Sequence, residues 1–178
     1  MKKRFLQLTL VILTAAVFVS CNKDNNEDIE PQVEITGKWN ITSAESNFES
    51  QGDNTNSTFD LAKDNLFIEF NSDGTYTSNA EFGIGELALN PNGTVSNTYT
   101  YNNGRLDLKL IESSLKKEVI LYFHTSSGSN SLILNSDIND LLDAYNDQES
   151  SFDFLTSTII EATIKTYAKL DFMVTLTK

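Results

Sequence analysis

Cysteine and histidine, the side chains that most often act as a nucleophile, a base or a zinc ligand, are nearly absent from this sequence of 178 residues. Cys21 is the only cysteine, His124 is the only histidine, and Asp137, Asp140 and Asp143 recur at intervals of three residues. One histidine and one thiol cannot supply the usual ligand set of a zinc site. No nucleophile context such as Gly-x-Ser-x-Gly accompanies His124. The sequence therefore predicts a protein that is not an enzyme and that binds no metal ion and no cofactor.

A structural role fits His124 and the three aspartates better than a catalytic one. His124 ends a strand-like run, on the opposite parity from Val119, Leu121 and Phe123, which indicates an exposed histidine at the rim of a sheet. The aspartates fall on a predicted short helix over 137–147, where apolar residues recur at helical spacing. Carboxylates so spaced can bind a cation, but a solvated acidic face is the commoner outcome and is what we expect.

The N-terminus has the pattern of a secretory signal peptide. Three cationic residues at positions 2–4 precede a mainly apolar run of 16 residues, Phe5 to Ser20. A helix needs about 20 such residues to cross the hydrocarbon core, so this run is short for a permanent anchor. A charged start, a short apolar middle and a small residue before the next segment predict that residues 1–20 are a cleaved export signal.

The lone cysteine follows this segment directly, and Phe18-Val19-Ser20-Cys21 resembles the lipobox of bacterial lipoproteins. The resemblance implies a diacylglycerol thioether on Cys21, cleavage before it, and acylation of the new amino terminus. A single acyl chain anchors a protein only marginally, whereas two or more hold it stably. The alternative is an ordinary secretory peptide with a spare cysteine.

The residues after Cys21 also resemble a known sorting signal. The segment CNKDNNED is similar to the lysine-plus-acidic signal of Bacteroidetes surface lipoproteins. This resemblance implies an outer-membrane lipoprotein of the bacterial cell envelope that is exposed at the surface, with the periplasmic leaflet as the alternative. The acidic, asparagine-rich residues 21–35 cannot bury enough apolar surface to order themselves, so we expect a disordered tether.

The charge of the chain restricts its partners. The precursor carries a net charge of −12, and residues 1–20 contain three positive and no acidic residues, so the mature chain carries −12 − 3 = −15. A strongly acidic protein lacks the basic surface that nucleic acid requires. Anionic headgroups would repel it as well, so the lipid on Cys21 must provide the contact with the membrane. With no second cysteine, the stability of the fold must come from packing.

Residues 36–178 read as one all-β domain. Short alternating apolar runs separated by Asn, Gly, Ser and Asp turns predict three hairpins, with turns at NSDG, NNG and SSGS. A closing strand follows, with one face formed by Ala168, Leu170, Phe172, Val174 and Leu176. We predict an antiparallel up-and-down β-barrel of about eight strands with one short helix before the last strands. Residues 47–60 read as a loop, and 152–163 fit either a strand or a second helix.

A short motif at the start of the domain carries a family resemblance. Gly37-Lys38-Trp39 opening the first strand of a meander resembles the lipocalin superfamily, and the whole layout is similar to lipocalin-like domain lipoproteins of Bacteroidetes. The resemblance implies that Gly37 and Trp39 form one barrel end, with the tryptophan against a basic residue near the last strand. The lysines available for that role are Lys165, Lys169 and Lys178.

The resemblance implies a function as well. A lipocalin-like barrel can enclose a small apolar ligand, and the aromatic residues that could line such a cavity are Tyr99, Tyr101, Tyr122, Phe123 and Phe172. The sequence therefore predicts a membrane-anchored lipoprotein that binds a small apolar ligand. The alternative is a filled, ligand-free barrel that binds another envelope protein or a glycan through its outer face or its 47–60 segment. A hydrolase or isomerase has little support.

Overall fold

Eleven strands and two α-helices make up the part of the chain that the computed structural model describes, residues 34–50, 52–83, 86–112, 116–128 and 130–178. The predicted signal peptide, Cys21 and residues 21–33 of the predicted tether lie outside the described residues. In chain order the elements are β1 (Gly37–Ser50), β2 (Asp53–Asp60), β3 (Phe67–Phe70), β4 (Thr75–Ser78), β5 (Ala80–Gly83), β6 (Glu86–Leu89), β7 (Val95–Asn102), β8 (Arg105–Glu112), β9 (Lys117–Ser127), β10 (Ser131–Asp137), α1 (Ile138–Gln148), a 3-10 turn (Glu149–Ser151), α2 (Phe154–Thr166) and β11 (Tyr167–Thr177).

Eight of these strands form the closed antiparallel barrel that the sequence predicts. Their order around the barrel is β11-β10-β9-β8-β7-β4-β3-β1, and β1 pairs with β11 to complete the circle. Strand β2 adds to the second half of β1, and β5 and β6 form a separate two-stranded sheet. Within the described residues, neither helix is long and apolar enough to span a membrane.

Large apolar side chains fill the centre of the barrel. Alternation along each strand directs one residue in two inward, which is why the apolar runs of the sequence become the core. The inward side chains with less than 2% of their surface exposed are Ile41, Leu66, Ile68, Phe70, Leu106, Leu108, Phe123, Leu132, Leu134, Leu170, Val174 and Leu176. A side chain that bordered an internal space large enough for water would have exposed surface there. These side chains have almost none, so they border no such space.

The three predicted hairpins are confirmed. They are the β3–β4, β7–β8 and β9–β10 pairs, and their registers are antiparallel. At the NNG turn, Asn103 has a φ of 50° and Gly104 a φ of 79°, so both central residues adopt the left-handed conformation that a tight two-residue hairpin requires. The predicted helix over 137–147 is also confirmed as α1, with Asp137 as its N-cap.

The loop predicted over 47–60 is wrong. Strand β1 continues to Ser50, and Asp53–Asp60 pairs with it in antiparallel register from Ser43↔Asp60 to Ser50↔Asp53. Every residue of β2 is exposed except Ser57, which is half-buried. A strand with solvent on both faces has no apolar alternation to read, and the backbone pairing with β1 alone defines it.

Segment 152–163, which fitted either a strand or a second helix, forms most of α2, so two helices precede the last strand. The Asp153 carboxylate caps this helix by accepting hydrogen bonds from the Thr156 backbone N–H, at 2.9 Å, and from the Thr156 hydroxyl, at 2.8 Å. Ile160 and Ile164, one turn apart, are buried against the core. The closing strand begins at Tyr167, and its Ala168 is exposed although the alternation assigned it to the inner face.

Helix α1 takes the place of a strand beside the first half of β9. Strand β10 pairs with β9 only from His124 to Ser127. Further back along β9, the Ile120 backbone N–H donates to Gln148 Oε1 at 2.7 Å, and Gln148 Nε2 donates to the Ile120 carbonyl at 2.9 Å. The Gln148 amide therefore supplies the donor and the acceptor that a neighbouring strand would provide.

Replacing Gln148 should destabilise the barrel at this point. Gln148→Leu leaves the Ile120 N–H and carbonyl without a partner, so we expect a loss of about 2 to 4 kcal/mol in the free energy of unfolding. Urea denaturation of the variant and the wild type measures the difference. Asn146→Leu, on the exposed side of the same helix, is the control and should cost less than about 0.5 kcal/mol. Equal effects of the two substitutions would contradict the bridging role.

The cap of α2 should make stability depend on acid pH. The hydrogen bonds from Thr156 are the main cause that lowers the pKa of Asp153 from 3.8 to about 2, and Lys117 adds to them. Because the pKa of Asp153 is lower in the folded than in the unfolded protein, the stabilisation by the ionised cap is fully present above the unfolded pKa. It is lost as the pH falls through about 2. Asp153→Ala should therefore have a lower urea midpoint than the wild type near neutral pH. The difference between the two midpoints should narrow below pH 4. Asp153→Asn, which keeps a capping oxygen, should show a smaller gap, and a gap independent of pH would refute the assignment.

Candidate functional site

The start of β1 and the end of β11 bring Trp39 and Lys178 together. The Trp39 indole is 4% exposed, and its Nε1–H donates to the Ile35 carbonyl at 2.7 Å. The Lys178 ammonium lies 4.6 Å from the centroid of the indole ring, directly after the closing strand. Gly37 has a φ of +106°, a conformation that residues with a side chain rarely adopt. Of the three lysines considered from the sequence, Lys178 therefore contacts Trp39.

The aromatic residues predicted to line a ligand cavity do not surround a common space. Tyr99 and Tyr101 border a surface pocket of about 420 Å³ that also includes Ile35 and Gly74. The hydroxyl of Tyr99 donates to the Asn71 carbonyl at 2.7 Å, so it is held by the protein itself. The role of Tyr99 and Tyr101 in ligand binding stays a prediction.

The other aromatic candidates lie elsewhere. Phe123 is buried in the core with its ring edge-on to that of Phe82, at a centroid distance of 6.3 Å. Phe172 borders a second pocket on another part of the barrel. Tyr122 points outward from β9, and its hydroxyl donates to Asp147 on α1 at 2.9 Å. Burial, together with Asp147, raises the pKa of Tyr122 to about 12.

The second pocket is a polar groove of about 540 Å³ on the outside of the barrel. It lies over strands β1, β11 and β10, with β2 on one side and the start of α1 on the other. The residues that line this polar groove are Glu45, Ser46, Asn47, Asn56, Ser57, Thr58, His124, Asn135, Ser136, Asp137, Asp140, Asp171, Phe172 and Met173. They come from six elements, so no local sequence motif identifies the groove.

The registers of these strands arrange the outward residues of the groove in two cross-strand rows. The first row runs over five strands as Thr58, Glu45, Met173, Asn135 and His124. The second row runs over four strands as Asn56, Asn47, Asp171 and Asp137. The alternate residues of the same strands, among them Ala44, Leu134 and Val174, are buried in the core. All of the residues in the two rows are polar except Met173.

His124 and Asp140 join the first row to α1. His124 Nε2 lies 3.0 Å from Asp140 Oδ1, and Asp140 Oδ2 accepts a hydrogen bond from the Asp137 backbone N–H at 2.9 Å. His124 is exposed, as the sequence predicts, but the prediction of a solvated acidic face is wrong for Asp140, which is 8% exposed. Burial raises the pKa of the Asp140 carboxyl, while the bond from Asp137 and the charge of His124 oppose that rise.

Negative charge dominates the groove. Glu45, Asp137, Asp140 and Asp171 line it, and no lysine or arginine is among its lining residues. Lys169 approaches Asp171 from outside, with 2.9 Å between Nζ and Oδ2, but both side chains are half-exposed and solvent screens such a pair.

In the second row, the buried Oδ1 of Asn47 has no hydrogen-bond partner. The part of the chain that the structure describes holds no group of three or more His, Cys, Asp or Glu side chains placed to bind a metal ion.

Comparison of the chain with protein-family models, with curated proteins and with solved structures gives no match. The lipocalin resemblance therefore depends on the Gly37–Trp39 motif, the layout of the chain and the closed barrel. The class of protein that the fold defines is an eight-stranded antiparallel β-barrel with two helices near its C-terminus.

A double-mutant cycle should detect the contact between Lys178 and Trp39. We expect Lys178→Met to cost less than about 1 kcal/mol, and Trp39→Leu to cost more because it also removes the bond to the Ile35 carbonyl. If the ammonium binds the indole face, the effects on unfolding should be non-additive by about 0.5 to 1 kcal/mol. Strictly additive effects would indicate that the lysine contributes nothing through the ring.

Proposed function

We propose that the protein is a lipid-anchored protein of the bacterial envelope whose lipocalin-like barrel is a packed scaffold that binds another molecule on its outer face. The packed centre of the barrel carries this proposal. A barrel that stores an apolar ligand needs an internal space bordered by its inward side chains. Leu106, Leu108, Leu132 and Val174, at the centre, are each 0% exposed and border none.

The sequence supports the anchoring part of the proposal. The lipobox resemblance implies an acylated cysteine at position 21, fifteen residues before Thr36, where the predicted domain begins. An extended segment of that length reaches roughly 50 Å, at about 3.3 to 3.6 Å per residue. The barrel can therefore stand clear of the membrane surface, and its charge of −15 favours separation from anionic headgroups.

The outer face offers the alternative to storage inside the barrel. The polar groove is open to solvent and has a volume within the range of about 300 to 1,000 Å³ that is usual for ligand sites. It includes Asn56, Ser57 and Thr58 from the segment that the sequence already suggested as a contact region. An interaction module with a filled barrel therefore agrees better with the geometry than a carrier of small apolar molecules.

Native mass spectrometry of the protein extracted from its own envelope tests this function. We expect the mass of residues 21–178 plus the acyl groups on Cys21, with no further small molecule bound. Crosslinking in cells before extraction should recover a partner protein or a glycan with it. Cys21→Ala, as the control, should move the protein from the membrane to the soluble fraction. An apolar molecule bound in a one-to-one ratio, and present in the Cys21→Ala variant as well, would overturn the proposal.

A further inference from the structure

We infer that the polar groove is a carbohydrate site and that its ligand is a neutral oligosaccharide. This inference depends on the proposed function, since it names the surface and the ligand class of the interaction module. Four properties of the groove lead to it: its elongated shape, its mixture of hydrogen-bonding groups, its one apolar side chain, and its charge.

The shape of the groove fits a chain-like ligand. Its first row crosses five neighbouring strands, which spans roughly 19 Å at about 4.8 Å per strand spacing. The second row lies roughly 7 Å away, because residues two apart on a strand share a face. The groove is therefore a strip about three times as long as it is wide. An extended oligomer can contact both rows along its length, whereas a compact molecule would contact only a part of them.

The hydrogen-bonding groups of the groove match sugar hydroxyls. Asn56 and Asn135 each offer an amide that both donates and accepts, and the hydroxyl of Thr58 does the same. A sugar hydroxyl is likewise a donor and an acceptor, so it can pair with any of these side chains. An apolar ligand would remove water from them without replacing its hydrogen bonds, which is costly.

One apolar side chain interrupts the polar rows. Met173 lies between Glu45 and Asn135 in the first row, half-buried on the outer face. A thioether is flexible and polarisable, so it can pack against the C–H face of a sugar ring while the flanking polar groups bind its hydroxyls. A protein partner would need more apolar and aromatic surface than the single Met173 side chain, because the core of a protein interface is rich in aromatic side chains, methionine and arginine.

The charge of the groove selects among carbohydrates. Four carboxylates line it. Asp140 lies beside the His124 imidazole and Asp171 beside the Lys169 ammonium, while no ion pair among the described residues involves Glu45 in the first row or Asp137 in the second. A uronic acid or a sulfated sugar would meet uncompensated negative charge along both rows. Neutral sugars can still donate their hydroxyls to the carboxylates. Rejection of anionic glycans is therefore part of the specificity that we infer.

Isothermal titration of the full lipidated chain tests this site directly. The protein should be held in a zwitterionic detergent, since a detergent with a sugar headgroup would compete. The neutral probes are maltotetraose, cellotetraose and N-acetylchitotetraose, and the anionic probe is a galacturonic acid tetramer. We expect at least one neutral tetramer to bind at micromolar to millimolar concentration and the anionic tetramer not to bind.

Variants in each row locate the binding. Asn135→Ala in the first row and Asn56→Ala in the second should each weaken the binding of the neutral tetramer about three- to tenfold, since each removes hydrogen bonds to the ligand. Asn102→Ala, an exposed asparagine on β7 outside the groove, is the matched control and should change the affinity less than twofold. Unchanged circular dichroism and urea midpoints would exclude unfolding as the cause.

Each contrary result has a distinct meaning. Binding of a neutral tetramer that neither groove variant weakens would overturn the site, and the proposed interaction function would stand. Binding of the galacturonic acid tetramer alone, or of no neutral probe at millimolar concentration, would overturn the ligand class. A crosslinked partner protein that is lost with Asn135→Ala would assign the groove to a protein instead of a sugar. An apolar molecule inside the barrel would overturn the proposed function itself, whatever the titrations give.

Discussion

The antiparallel pairing of β1 with β11 is the constraint on which the rest of the structure depends. It runs from Asn40↔Thr177 to Ser50↔Tyr167 and converts a row of hairpins into a closed barrel. Closure pairs β1 with β11, so neither of these two strands is left as a free edge that could pair with another chain, and the added strand β2 keeps one open edge. The same pairing brings the last residue of the chain over Trp39 and sets the β1 side chains of the groove beside those of β11. A shift of this register by one residue would move the core-facing side chains of a strand to the outer face and the outer side chains into the core, because the side-chain period of a strand is two.

The packed interior is the main source of stability. No disulfide can form within a chain that has one cysteine, so burial of apolar surface provides most of the stability, and the hydrogen bonds of Gln148 and of the Asp153 cap add to it. Large side chains in the centre give that burial, but they occupy the space in which a carrier would hold its ligand. In the function that we propose, recognition therefore uses the outer surface. There, the extension of β1 beyond the barrel pairing with β3 supports β2, and β2 and α1 form the two sides of the groove.

Much of the barrel could be predicted from the sequence, because its strands bury one face each. The apolar alternation of β8 and β9, the NNG turn and the Asp137 cap of α1 are local signals that the fold keeps. Strand β2 gave no such signal, because nearly all of its residues are exposed, and its pairing depends on β1 alone. Helix α2 was ambiguous since its threonines and isoleucines favour strands, whereas the Asp153 cap and the burial of Ile160 and Ile164 favour the helix. The groove was not predictable, because only the registers of five strands bring its residues into rows.

The central claim is that the barrel is packed and recognition takes place outside it, and xenon binding in the crystal tests this most directly. Xenon enters apolar cavities that water leaves empty, whatever the natural ligand is. A matched pair of crystals, wild type and Leu108→Ala, would be pressurised in the same way, the variant serving as a positive control because its shortened side chain opens a cavity at the barrel centre. We predict a xenon atom beside residue 108 in the variant and none in the wild-type interior. A xenon atom bound among Leu106, Leu108 and Leu132 of the wild type would contradict the claim.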